Sequence, residues 1–172
     1  MGKAEHCGIE IERKYIIKRP SEGDMSVMPE YTVSRITQIY LRPIGGATHR
    51  VRRRERADGV EYTETRKIRI DKMSSTEIER EITEEEFERL AAEIDVHTRP
   101  INKTRYTFIY SDQLFEIDVY PEWKHTAVME TELDSRDKEV EIPEFIRIIA
   151  DVTGNSAYSN ASMSRAFPSE LI

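Results

Sequence analysis

Short runs in which apolar and charged residues alternate dominate this chain, and a period of two marks a strand with one apolar and one polar face. Ile9 to Tyr15 sets Glu10, Glu12 and Lys14 against Ile9, Ile11 and Tyr15. Ile36 to Arg42 sets Gln38, Tyr40 and Arg42 against Ile39 and Leu41, and His49 to Arg56 aligns Arg50, Arg52 and Arg54. After the hairpin signal Asp58-Gly59, Val60 to Ile70 aligns Thr63, Thr65, Lys67 and Arg69. Glu77 to Ile82 carries Glu79 and Glu81 on one face, and Ile101 to Tyr110 aligns Lys103 and Arg105. Asp112-Gln113 turns the chain into Leu114 to Tyr120, where Glu116 and Asp118 oppose Phe115, Ile117 and Val119. Thr126 to Asp134 repeats the device, with Glu130 and Glu132 against Met129 and Leu133.

The period changes at two places. Thr83 followed by Glu86 forms a capping box, and Phe87, Leu90, Ala91 and Ile94 recur at helical spacing behind it. Pro143 is expected to open a second helix, with Phe145, Ile149 and Val152 on one side and Gly154 at its end. Between Lys18 and Arg35, Pro20, Gly23 and Pro29 break any long element, so this stretch reads as a connection with one short helical turn. The tail, with Tyr158 and Asn160, holds a last helical turn.

Eight short strands joined mostly by turns predict an antiparallel sheet, and acids and bases segregate largely by strand. The selected faces carry eight acids (Glu10, Glu12, Glu79, Glu81, Glu116, Asp118, Glu130, Glu132) and eight bases (Lys14, Arg50, Arg52, Arg54, Lys67, Arg69, Lys103, Arg105). If the sheet closes, the fold is α+β: an eight-stranded antiparallel β-barrel with a charged interior and helices packed outside, inverting the usual packed small barrel. An interior so charged is too costly to leave dry, so it must hold water, metal and counter-ions. Arginine and lysine match phosphate oxygens directly, whereas carboxylates match them only through a divalent cation. The guest that suits both rings is a compact polyanion such as a triphosphate carried with Mg²⁺ or Mn²⁺. An open sheet with a solvated, ion-paired face is the alternative that the pattern leaves.

Composition narrows the choices. The 172 residues are most simply one domain, 1–172 with a core of about 9–163, and 34% charged against 38% hydrophobic residues make a soluble globular chain. A net charge of −7 argues against a nucleic-acid partner, whose phosphates demand a basic surface. No apolar run approaches 18 residues and no signal segment is present, so no membrane partner and a cytoplasmic location are expected. The single Cys7 excludes an internal disulfide; Gly2 lacks the rest of a myristoylation motif, and His6-Cys7 supplies too few ligands for a metal site. Oligomeric state stays open, a homodimer included.

Glu10-Ile11-Glu12-Arg13-Lys14 resembles the Glu-x-Glu-x-Lys signature of CYTH domains, the triphosphate tunnel metalloenzymes. The later motifs follow that family's order: Gln38-x-Tyr40-Leu41, Arg52-x-Arg54, Thr65-x-Lys67, Glu79-x-Glu81, Lys103 to Tyr106, Phe115 to Asp118, Glu130-x-Glu132-Leu133, and Val152 to Asn160. The resemblance implies an eight-stranded tunnel that binds triphosphates and hydrolyses them with a divalent metal. By position, Glu10, Glu130 and Glu132 resemble ligands of the metal on the triphosphate, and Glu12 the contact to a second metal or its water. Arg52, Arg54, Lys67 and Arg105 resemble the phosphoryl grips, Lys14 an orienting group, Tyr40 a helper from the wall, and Lys103 a general acid for the leaving phosphate. Arg50 and Arg69 join the grips, and Glu79, Glu81, Glu116 and Asp118 the metal donors, from the pattern of charged faces.

Two departures stand out. Family members often carry arginine where this chain has Glu77, which removes one expected phosphate contact and leaves Arg69 or Lys72 to stand in; the segment 121–125 lacks the usual glycines. The expected activity is metal-dependent hydrolysis of inorganic tripolyphosphate to pyrophosphate and phosphate. Thiamine or nucleoside triphosphatase, class IV adenylyl cyclase and, from another class, a non-catalytic polyphosphate-binding module are the alternatives.

Overall fold

Each predicted alternating run is a strand in the computed structural model, which describes residues 6–172 and, of His6, the backbone alone. Gly2 and the His6 side chain thus lie outside the described residues. The strands are β1 (His6–Lys18), β2 (Tyr31–Ile44), β3 (Ala47–Arg56), β4 (Gly59–Arg69), β5 (Ser74–Glu81), β6 (Ile101–Tyr110), β7 (Gln113–Val119), β8 (Thr126–Glu132) and a short β9 (Ile148–Asp151). Helices are α1 (Glu22–Val27), α2 (Glu84–Ala91) and α3 (Asn160–Arg165). The sheet runs β5-β4-β3-β2-β6-β7-β8-β1-β9, and a further pairing of β1 with β5 closes the first eight strands into an antiparallel barrel.

β1 makes closure possible because it is long enough to serve three neighbours. Its first half, His6 to Ile11, pairs with β5; Glu12 to Lys18 pairs with β8; and Tyr15 to Ile17 pairs with β9 on the edge that β5 leaves open. Hairpins set the remaining registers. At the β6–β7 turn Ser111 and Asp112 both adopt positive φ, 51° and 57°, the backbone that a two-residue turn matching the strand twist requires.

The helix expected from Pro143 does not form. Residues 148–151 lie as β9 against β1, because pairing with an open edge satisfies their backbone groups and suits the β-branched Ile148 and Ile149. The segment before it covers the barrel by extended packing instead: Val140, Ile142, Phe145 and Ile146 lie over Tyr15, Phe108, Phe115, Ile117 and Met129. α2 behaves as expected. Thr83 and Glu86 cap it reciprocally, and Phe87 and Leu90 pack with Leu41, Val51 and Ile82 on the barrel's outer face. The strand β2 begins at Tyr31 rather than Ile36, and the connection before it holds α1 under its own capping box of Ser21 and Asp24.

A third cluster gives the barrel a polarity along its axis. Ile16, Tyr40, Ile101, Tyr120 and Val128 share the inward parity of Lys14, Gln38, Lys103, Asp118 and Glu130, yet they join Trp123, Val152 and Met163 in an apolar plug. Full burial of each large apolar side chain contributes roughly 1.5–3 kcal/mol, which offsets part of the cost of the charged section beside it. Gly154 lets the chain pass close over this end: its φ is +77°, and a Cβ there would lie 2.8 Å from Cβ of Lys72.

Candidate functional site

Inward side chains of all eight barrel strands, with residues 152–155 and 159–161 at one end, line a cavity of about 440 Å³. It brings together Glu10, Glu12, Lys14, Tyr40, Arg50, Arg52, Arg54, Lys67, Arg69, Glu79, Lys103, Arg105, Glu116, Glu130 and Glu132. Two predicted residues fall outside the lining. Glu81 sits exposed at the end of β5, and Asp118 is wholly buried behind the basic residues. Asp118, expected from the pattern as a metal donor, lies behind the cavity wall, and its oxygens accept from Lys103 Nζ at 2.6 Å and from Arg105 Nε and Nη2 at 2.6 and 2.7 Å. Asp118 is the counter-ion of these two bases.

The bases divide into two groups. Arg105 also donates to Glu116 and, at 3.3 Å, to Glu130, so its guanidinium is saturated and held above its ordinary range despite burial. Lys14 lies 2.8 Å from Glu130, and Lys67 lies 3.2 Å from Glu10 and 2.9 Å from Glu77. Arg52, by contrast, has no hydrogen-bond or ion-pair partner among the described residues, and its Nε is buried without one. Burial first, then Arg50 and Arg105, push its pKa down to about 10. Arg54 has only the hydroxyl of Ser34, at 3.0 Å, and burial with Arg56 and Arg105 lowers it too. A buried cation without an anion is costly, so this pair on β3 is prepared for a ligand that brings negative charge.

Arg69 lines the cavity but is tied to backbone carbonyls. Its Nε donates to the carbonyl of Asp71, and its Nη2 to those of Lys72 and Gly154, so it ties the β4–β5 loop to the C-terminal segment. Tyr40 is nine-tenths buried or more beside the cavity, and its hydroxyl accepts from Gln38 Nε2 at 3.2 Å. Lys103 is buried, and its Nζ donates to Asp118. Burial and then Arg105 lower its pKa to about 8, against the pull of Asp118 and Glu130.

The carboxylates show the opposite strain. Glu12 faces Glu132 directly across β1 and β8, and Glu116 faces Glu130 across β7 and β8. Like charges set opposite one another are destabilising unless something neutralises them. Burial, then Glu116, Glu12 and Glu77, push Glu132 up, and burial with Glu77 pushes Glu10 up to about 7. Burial also works on Glu130, but Lys14, Arg105 and Lys103 outweigh it and hold that carboxyl well below the usual range. Among the described residues no three acidic, histidine or cysteine side chains yet converge as a ligand group. The chemistry of the donor set nevertheless fits a hard divalent cation: several oxygen donors, in excess over nearby cations at Glu12 and Glu132.

Sequence reasoning missed how central Glu77 is. It lines the cavity between Arg50 and Lys67, and the signal was present in its i, i+2 spacing to Glu79 on the inward face of β5. Ser34 was missed because a neutral side chain leaves no charge pattern; Thr153, within the C-terminal motif, accepts through Oγ1 from the Lys14 backbone N–H at 3.0 Å and so anchors the Glu-x-Glu-x-Lys run to the C-terminal segment.

The antiparallel barrel thus closes around a cavity lined by side chains of both charges. The chain is similar over nearly its whole length to a protein solved as the inorganic triphosphatase NE1496: 27% identity, 93% of this chain and 97% of that one, TM-score 0.59. The PH1819 protein from Pyrococcus horikoshii OT3 shares the fold at 21% identity, over 74% of this chain and 80% of its own, TM-score 0.55. No protein-family model and no curated protein matches the chain. The resemblance to CYTH domains read from the sequence is borne out by this fold and this triphosphatase neighbour. Among the described residues no helix is long and apolar enough to cross a membrane.

Proposed function

We propose that this chain is a divalent-metal-dependent triphosphatase that cleaves inorganic tripolyphosphate to pyrophosphate and phosphate. The observation that carries the reading is Arg52, a buried cation with no hydrogen-bond or ion-pair partner among the described residues, next to Arg54 in a cavity lined by both acids and bases. Similarity to an inorganic triphosphatase supports the same substrate class.

Arg52 and Arg54 hold the phosphoryl oxygens, with Arg50, Lys67 and Arg105 around them, while Lys14 and Tyr40 orient the anion. Glu10, Glu12, Glu130 and Glu132 are the donors for Mg²⁺ or Mn²⁺, which when bound offsets phosphoryl charge and makes phosphorus a better electrophile. A water attacks the terminal phosphorus and the bridging P–O bond breaks; Glu12 takes a proton from the water and Lys103 gives one to the departing pyrophosphate oxygen. A lysine with a pKa of about 8 is still protonated at neutral pH and releases its proton readily, the balance that general acid catalysis needs. Phosphoryl transfer depends on positioning and charge neutralisation more than on covalent chemistry, which this cavity is built to give.

The test is phosphate release from tripolyphosphate, pyrophosphate, ATP and thiamine triphosphate, each with Mg²⁺, Mn²⁺ or chelator. Turnover of tripolyphosphate well above the other three, abolished by chelator, is expected. Tight binding with no release under any divalent metal would replace the enzyme reading with a binding module.

A further inference from the structure

We propose that Glu77 decides which polyanions the cavity accepts: it closes Arg50 and Lys67 to a third phosphoryl group unless that group arrives with its charge offset by a divalent cation. The proposal rests on the triphosphatase reading and refines it.

Arg52 and Arg54 stand two positions apart on one strand face, about 7 Å, and among the described residues neither has a carboxylate within ion-pair distance. A short anion can sit between them. A longer one must reach the next cations, Arg50 on the same strand and Lys67 on β4. Both are in contact with one atom: Oε1 of Glu77 lies 2.9 Å from Lys67 Nζ and 3.7 Å from Arg50 Nη2, while Glu10 lies a further 3.2 Å from Lys67. Glu77 is the direct neighbour of Lys67 in the β4–β5 register, so this contact is fixed by strand pairing.

Asp118 is buried behind its lysine and arginine and does not line the cavity, whereas Glu10, Glu116 and Glu130 line it beside the bases they pair with. Glu77 lines the cavity too, and its side chain is 13% exposed. A phosphoryl group that approaches Arg50 or Lys67 therefore meets a fixed negative charge at contact range, where Coulomb energy in a partly dry channel is worth factors of ten in affinity. An anion of two phosphoryl groups seated between Arg52 and Arg54 also feels Glu77, which acts on Arg52 through space, but it has no Glu77 ion pair to displace. With a divalent cation on the third group, the same carboxylate attracts.

The test is calorimetric titration of the full chain with pyrophosphate and with tripolyphosphate, in chelator and in Mg²⁺, for the wild type, Glu77→Gln, Glu77→Asp and the exposed control Glu122→Gln. In chelator, Glu77→Gln is expected to bind tripolyphosphate about 10-fold more tightly or better while pyrophosphate changes less than about 3-fold, and both controls are expected to keep the wild-type ratio. Equal gains for the two anions, or none, would overturn the proposal, since Glu77 would then be one negative charge among many. Should Glu77→Gln fail to fold, the wild type alone decides: its preference for tripolyphosphate over pyrophosphate must rise on adding Mg²⁺, and an unchanged ratio overturns the idea. A wild type that releases no phosphate while the binding preference still depends on Glu77 would sink the hydrolase reading and leave this inference standing.

Discussion

Two walls of the cavity carry the same kind of residue and put it to different use. On β3, Arg52 and Arg54 point inward with no carboxylate attached among the described residues, whereas on β6 the equally inward Arg105 and Lys103 are paired with Asp118, Glu116 and Glu130. The difference separates a cation that waits for ligand from one that holds the barrel together. Breaking a buried ion pair leaves an uncompensated charge, while removing a buried charge that never had a partner relieves the fold. Residue type alone would assign both walls the same role; the partner list separates them.

The largest effect should come from the paired wall. Asp118→Ala strands Lys103 and Arg105 without their main counter-ion and is expected to cost about 3–5 kcal/mol of stability, read by chemical denaturation of the ligand-free protein. A melting curve unchanged from the wild type would show that the two walls do not differ in this way.

Next comes the unpaired wall. Arg52→Ala is expected to lower tripolyphosphate affinity by about 10–100-fold, the worth of one or two charge-assisted hydrogen bonds, without lowering the stability of the ligand-free protein. Affinity is read by calorimetry and stability by the same denaturation series. Loss of stability together with affinity would place Arg52 in the structural group beside Arg105.

The smallest effect is a pH dependence confined to Lys103. Its pKa in the folded protein, about 8, lies below its ordinary value of 10.5, so between these values the unfolded chain binds more proton than the folded one. Its contribution to stability therefore improves as pH rises from about 8 towards 10.5, while activity through its proton falls as pH passes about 8. The difference in melting temperature between the wild type and Lys103→Ala should drift in favour of the wild type over that window, and the alkaline fall in kcat/KM should be absent from the residual activity of the variant. A difference that runs flat with pH would mean that Lys103 titrates as an ordinary lysine.

Much of the barrel was legible because alternation is local. Glu10-Glu12-Lys14 and Arg50-Arg52-Arg54 face the interior for the same reason, a backbone that turns every second side chain to one side while apolar neighbours seek the outer layers. The capping box of Thr83 and Glu86 was equally plain, since both partners lie within one helical turn. The run from Pro143 was misread because Phe145, Ile149 and Val152 fit a helix in isolation, whereas the open edge of β1, more than a hundred residues away, offered Ile148 to Asp151 a sheet.

What the sequence determined by itself is the set of side chains that share the inward face, and with it a cavity of both charges. Only the tertiary structure decided which of them are bound to each other. Asp118 reaches Arg105 because the β6–β7 hairpin sets them opposite, and Glu77 reaches Lys67 through the β4–β5 register; Arg52 faces Gln38 on one side and Thr63 on the other, neither of them an anion. The apolar end of the interior, from Ile16 to Tyr120, likewise depends on how far each strand is displaced along its neighbour. The period of a strand is fixed by bond geometry within a few residues, but charge neutralisation depends on register between strands distant along the chain, and that register exists only once the barrel has closed.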